Sequence, residues 1–201
     1  MPKIDIKIKT IILAHSVFWM AQKLVQPFLA IFFLEELRGV SLFEIGTSTL
    51  IYFLTAGTVE PIFSYLEERK RGLRDEASFV IGGYLLRGLT FIIFTFSSNV
   101  WHLYLFQFVL GIAAAMYSAA DKTVFANILG NGKGTGTLLW GADDSVILFS
   151  AALGALIGGY LTSIYGIRIF LMVSGVFTIV AGLMYYMVLK RLKKDKIWKG
   201  F

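Results

Sequence analysis

Cysteine is absent, proline occurs three times in 201 residues, and charged side chains make up only 16% of the chain. Without cysteine there are no disulfide staples and no thiolate chemistry. A soluble domain of this size carries about 25% charged residues, so the charge shortage argues against one. The strict alternation of a membrane β-barrel is also missing, because the apolar runs are continuous. No metal-ligand or nucleophile–base spacing occurs, so neither an enzyme nor a cofactor is expected.

What is present is apolar. Hydrophobic residues make up 57% of the chain, and its mean hydropathy is +0.72. Runs of roughly 20 apolar residues recur, enough to cross a hydrocarbon core of about 30 Å at 1.5 Å per residue. They predict six helices near 10–36, 43–66, 77–97, 100–125, 137–162 and 168–190. The 20 glycines suit close helix packing in lipid. The charged N-terminus runs into its apolar stretch without a small-residue cleavage site, which reads as a retained first helix.

Charge sets the expected orientation. Lys3, Lys7 and Lys9, then Arg69, Lys70, Arg71 and Arg74, then Lys122 and Lys133 fall on one side. The tail from Lys190 to Lys199 joins them, while the other side holds only Arg38 and Arg168. The positive-inside rule puts both termini in the cytoplasm, in a plasma (inner) membrane protein. That bias also accounts for the net charge of +6 without nucleic acid.

Several stretches resemble the major facilitator superfamily of secondary transporters. "PFLAIFFLEELRGVSLFEIGTSTLIYFLTAGTVEPIFSYLEERKRG" is similar to that family's first two helices. Its end, Ser64 to Gly72, resembles the G-x-L-a-D-R-x-G-R loop motif: Leu66 and Arg69 match, and Glu68 replaces the Asp. "QFVLGIAAAMYSAADKTVFANI" resembles the fourth helix, with Gln107 in place of a common Arg. "LGALIGGYL" resembles the glycine motif of the fifth, with Ala155 in place of its proline. The resemblance implies an all-α membrane protein, half of a twelve-helix fold, built as a 3+3 inverted repeat. It also implies that helices one and four line a central cavity.

Polar residues within the spans mark the candidate site. At about 100° per residue, His15, Trp19, Gln22, Lys23 and Gln26 share one stripe of the first helix. An unsatisfied polar group in lipid costs several kcal/mol, so the stripe needs a partner or water. It reads as a substrate-binding wall or as an inter-helix network that fixes packing, the latter for His15 in particular. On the fourth helix Gln107, Gly111, Ala114, Ser118 and Asp121 share a face beside Tyr117, which fits a cavity wall or a packing face. Arg87, at mid-membrane, is expected to pair with Glu60, Asp143 or Asp144. Glu68, Arg69 and Asp121 sit at helix ends where the resemblance implies a charged latch. "GNGKGTGT" at 130–137 lacks the spacing and the preceding strand of a phosphate loop and reads as a turn.

Together these features point to a secondary transporter of a small polar or anionic solute, with or without coupling to a proton or ion, and with Lys23 as its central contact or proton-sensitive group. Six helices make half a cavity, so the expected partner is a second copy of the chain or a separate six-helix half. Gly57 and the Gly154-x-x-x-Gly158 spacing are the expected contacts between copies. The alternative is a non-transporting scaffold or assembly subunit of the same fold, whose cationic tail binds anionic lipid or a cytosolic partner.

Overall fold

Long apolar segments become helices in lipid because every backbone polar group must be satisfied within the segment. The computed structural model describes residues 6–70, 73–129 and 136–194, with side chains at all of these except 68–70, 73–75, 127–129, 188–189 and 191–194. The helices are α1 (Ile6–Val25), α2 (Leu29–Glu36), α3 (Leu42–Lys70), α4 (Leu73–Phe94), α5 (Val100–Leu129), α6 (Gly136–Tyr165) and α7 (Ile167–Lys194). Six segments are long and apolar enough to cross a membrane, at Ile6–Glu36, Leu42–Glu67, Glu76–Phe94, Val100–Ala126, Gly136–Tyr165 and Ile167–Met187. These are the six expected spans, with ends moved by a few residues. Among the described residues the only strand-like pairing is the isolated Arg38–Asn99 bridge.

The first span is broken, against the continuous helix expected at 10–36. A short turn of 3-10 helix, Gln26–Phe28, separates α1 from α2. Pro27 lacks an N–H and its ring crowds the preceding turn, which weakens the regular ladder there; α3 runs on through Pro61.

The packing list has an internal symmetry. α1 packs along α6 and α7, α5 packs along α3 and α4, and α4 packs along α7. Exchanging α1 with α5, α3 with α6 and α4 with α7 leaves that list unchanged. Spans one and four cross in opposite directions, so the exchange also turns the chain over. This is the 3+3 inverted repeat. Its centre is the crossing of α4 and α7. A Cβ on Gly88 would lie 2.6 Å from the Gly175 carbonyl oxygen and 2.6 Å from Ile179 Cγ1; one on Gly175 would meet the Gly88 oxygen and Ile92 Cγ1 at the same 2.6 Å.

A second close approach corrects an expectation. Cβ atoms on Gly154 and Gly158 would lie 2.4 Å and 2.1 Å from the carbonyl oxygens of Met20 and Leu24. The Gly154-x-x-x-Gly158 face is therefore filled by α1 of the same chain and is not free for another copy, whereas Gly57 faces open space.

Two apolar clusters fill the bundle. One contains Ile11, Phe18, Tyr84, Phe125 and Tyr185, toward the side where α1 begins and α7 ends. The other contains Leu24, Phe33, Phe91, Phe106 and Leu171, toward the opposite side. A polar layer lies between them.

Candidate functional site

That layer is built on Gln22, buried on α1. Its Oε1 accepts from Arg87 Nε of α4 at 2.8 Å, and its Nε2 donates to Thr178 Oγ1 of α7 at 3.1 Å. Thr178 donates to the Ser174 carbonyl, and Ser174 Oγ donates to the Ala21 carbonyl, each at 2.7 Å. The Arg87 guanidinium carbon lies 5.9 Å from the Phe18 ring and 5.6 Å from the Phe91 ring, so both ring faces stabilise its charge. Its Nη1 is buried and has no hydrogen-bond partner.

Lys23 is the next residue along α1. It is half-buried, donates to Gln26 Oε1 at 2.8 Å, and lies 6.0 Å from the Trp19 ring. The intramembrane cations Arg87 and Lys23 thus bond to neutral amides. Among the described residues neither has a carboxylate partner, so the ion pair expected for Arg87 is not formed. The acids it was assigned are otherwise placed. Glu60 accepts from Ser118 Oγ, Asp143 meets His15, and Asp144 is exposed. An Arg–Gln bond satisfies part of the donor set and leaves the positive charge uncompensated.

The polar stripe of α1 therefore divides. Gln22 and His15 turn inward, Lys23 and Trp19 are half-buried, and Gln26 is exposed. On α5 the shared face also divides. A Cβ on Gly111 would meet the Tyr52 carbonyl oxygen at 2.8 Å, and Ser118 bonds Glu60, so this part is a packing face against α3. Tyr117 instead lies edge-on to Phe18 at 5.4 Å and to Tyr84 at 5.2 Å. Gln107 is half-buried ten residues earlier, about 15 Å away along the helix, and does not join the group. Side chains of Glu68, Arg69 and Lys133 lie outside the described residues.

A second polar group lies toward the side where α1 begins. His15 Nδ1 is 2.8 and 2.9 Å from the two oxygens of Asp143 on α6. His15 Nε2 is 2.9 Å from Asp121 Oδ1 on α5 and 2.8 Å from the Tyr185 hydroxyl on α7. Tyr185 also donates to Asp121. A ring that donates to both carboxylates carries a proton on each nitrogen. The network joins the helices as the packing reading of His15 expects, but its acids are those assigned to gating. The sequence reading missed Tyr185, Thr178 and Ser174. Their signal was available: positions 174, 178 and 185 share one face of an otherwise apolar helix.

An apolar cleft of about 450 Å³ lies elsewhere, between α4 and α5. Leu89, Ile93, Leu105 and Phe106 line it, and its one ionisable group, His102, accepts from the Ser98 N–H. Its other polar side chains are Thr90, which donates to the Leu86 carbonyl, and Ser97.

The fold, the repeat and the polar layer can now be set beside known proteins. The model of the Major Facilitator Superfamily matches residues 11–200. The chain belongs to the major facilitator superfamily. The "Multidrug resistance protein MdtG" of Proteus mirabilis (strain HI4320) is 27% identical over 152 residues, covering 72% of this chain and 35% of that protein. The matched stretch is thus little more than a third of the relative's length. Major facilitator membership, together with six helices long and apolar enough to cross a membrane, makes the chain an integral membrane protein. Gln22, Lys23 and Trp19 all stand on α1, and Arg87 reaches Gln22 from α4.

Proposed function

We propose that the chain carries a small anionic or strongly polar solute across the bilayer by alternating access, with Arg87 and Lys23 as its charge-complementary contacts. The observation that carries this reading is that, among the described residues, both cations bond to amides and neither to a carboxylate. Charged groups in a membrane pair with one another or mark a substrate or ion pathway. Here the protein supplies only Gln22 and Gln26, which orient the two side chains and leave their charge for a ligand. Arg87 Nη1, buried and unbonded, is a donor for a carboxylate or phosphate oxygen. Trp19 and Tyr117 supply the apolar wall.

The chain acts in this proposal with a second six-helix unit, taken here as a second copy in the same orientation about a twofold axis along the membrane normal. The charge bias favours one orientation, with both termini cytoplasmic. The outer faces of α3 and α6 support a pairing role, because Leu50, Phe53 and Leu54 on one, and Leu148, Phe149 and Leu153 on the other, are each more than half exposed among the described residues.

Uptake by proteoliposomes tests the reading. Parent protein should accumulate members of a panel of small organic anions above empty vesicles, and Lys23→Gln and Arg87→Gln should abolish it. No uptake of any panel member by folded parent protein would favour the scaffold role.

A further inference from the structure

The His15 group is not used by the solute site, and it links the two inverted repeats. His15 belongs to the first repeat. Asp121, Asp143 and Tyr185 belong to the second, one on each of its helices α5, α6 and α7. We propose that this group is a proton-binding site in which loss of one proton from His15 releases α5 from α1, so that proton occupancy controls the gap between the repeats on this side. The proposal rests on the transport reading only for what that gap admits.

The geometry gives the steps. With a proton on each nitrogen, Nδ1–H donates to Asp143 and Nε2–H to Asp121, while the Tyr185 O–H also donates to Asp121. Removing the Nε2 proton leaves a lone pair facing a carboxylate at 2.9 Å, which is repulsive. The Tyr185 hydroxyl is already 2.8 Å from Nε2. Its hydrogen turns from Asp121 to Nε2, and Asp121 loses both donors at once. The departing proton goes to water by way of Asp121, whose side chain is 21% exposed against 3% for Asp143. Nδ1–H keeps its bond to Asp143.

Packing decides which helix is freed. α6 is held against α1 by the backbone approaches at Gly154 and Gly158. α5 meets α1 over only a few residues, through the bond to Asp121 and the ring contacts His15–Phe125 at 5.7 Å and Phe18–Tyr117 at 5.4 Å, with no backbone approach like those of α6. The other ionisable groups near the site are Tyr84 of α4, edge-on to Tyr185 at 5.7 Å, and Tyr117 of α5, edge-on to Tyr84 at 5.2 Å. Arg87 lies one layer away, beyond Phe18. Asp144 of α6 and Lys122 of α5 are exposed. No described lysine or arginine replaces the imidazole within the group.

The chain contains no cysteine and two histidines, which makes both measurements direct. Histidine-selective ¹⁵N NMR of the purified protein, with His102→Gln for assignment, reads the protons on His15. Spin labels at Lys9→Cys on α1 and Ala126→Cys on α5, both exposed, read the gap. The expected result is a single one-proton titration of His15 on the Nε2 side, with the label distance lengthening over the same pH interval. His15→Gln and Asp121→Asn should each remove the pH dependence of the distance. Should either variant fail to fold, the parent titration still decides. A His15 that titrates while the distance stays constant, or a ring that holds both protons from pH 5 to pH 10, overturns the proposal. No solute is present in these experiments, so their failure would leave the uptake result untouched, and absent uptake would leave the titration standing.

Discussion

Gly88 on α4 and Gly175 on α7 face each other across the crossing of their helices, each leaving no room for the other's Cβ. The relationship is reciprocal down to the isoleucine four residues beyond each glycine. It sets how closely the two three-helix repeats approach, and the polar layer of Gln22, Arg87 and Thr178 lies beside it.

Gly88→Ala and Gly175→Ala should therefore cost similar amounts. A methyl forced against a backbone carbonyl in a packed core costs about 1–3 kcal/mol. Thermal melts in one detergent measure it. The double substitution should depart from the sum of the singles, because both act on one contact. Strictly additive effects would mean that the helices are not in contact there.

Arg87→Met separates a ligand contact from an ion pair. Breaking a buried pair costs on the order of 3–5 kcal/mol. Among the described residues Arg87 has no acid to strand; its removal leaves one Gln22 oxygen unsatisfied, about 1–3 kcal/mol. The variant should melt only slightly below the parent and yet take up no anion. A large loss of stability would point to a carboxylate partner.

Asp143 and Asp144 are adjacent in sequence and opposite in consequence. Asp143 is buried against His15, and Asp144 is exposed. Asp143→Ala should lower stability by about 3–5 kcal/mol, since it strands one side of a buried charged hydrogen bond. Asp144→Ala should stay within about 0.5 kcal/mol of the parent. Parallel melts of the two proteins check the contrast.

Pairing of copies predicts a cross-linking pattern. Gly57 on α3 faces open space and Leu153 on α6 is exposed. In protein carrying both Gly57→Cys and Leu153→Cys, oxidation should produce a covalent dimer. Gly158→Cys with Gly57→Cys should produce none, because the Gly158 site lies against Leu24 of its own chain. Monomeric mass in lipid, with no cross-link from the first pair, would remove the paired assembly.

The sequence by itself determined the element type, number and approximate limits. Long apolar runs in lipid admit helices and little else, since the backbone must satisfy its own hydrogen bonds. It also marked Gln22, Lys23, Asp121 and Asp143 as polar groups in apolar surroundings, but not the break at Pro27, since Pro61 sits inside the unbroken α3. Only the tertiary structure decided who meets whom. Gln22 and Lys23 are adjacent on one stripe, yet one bonds across to α4 and α7 and the other stays with its own helix. Arg87 took an amide and not an acid, and Gly154 and Gly158 took α1 and not another copy. His15 gathered side chains from three helices, Asp143 from 128 positions away. Helical periodicity gives the direction in which a residue points but not what stands there, because the neighbour is set by how whole helices cross, and here that crossing is fixed by a Gly88–Gly175 contact between residues far apart in the chain.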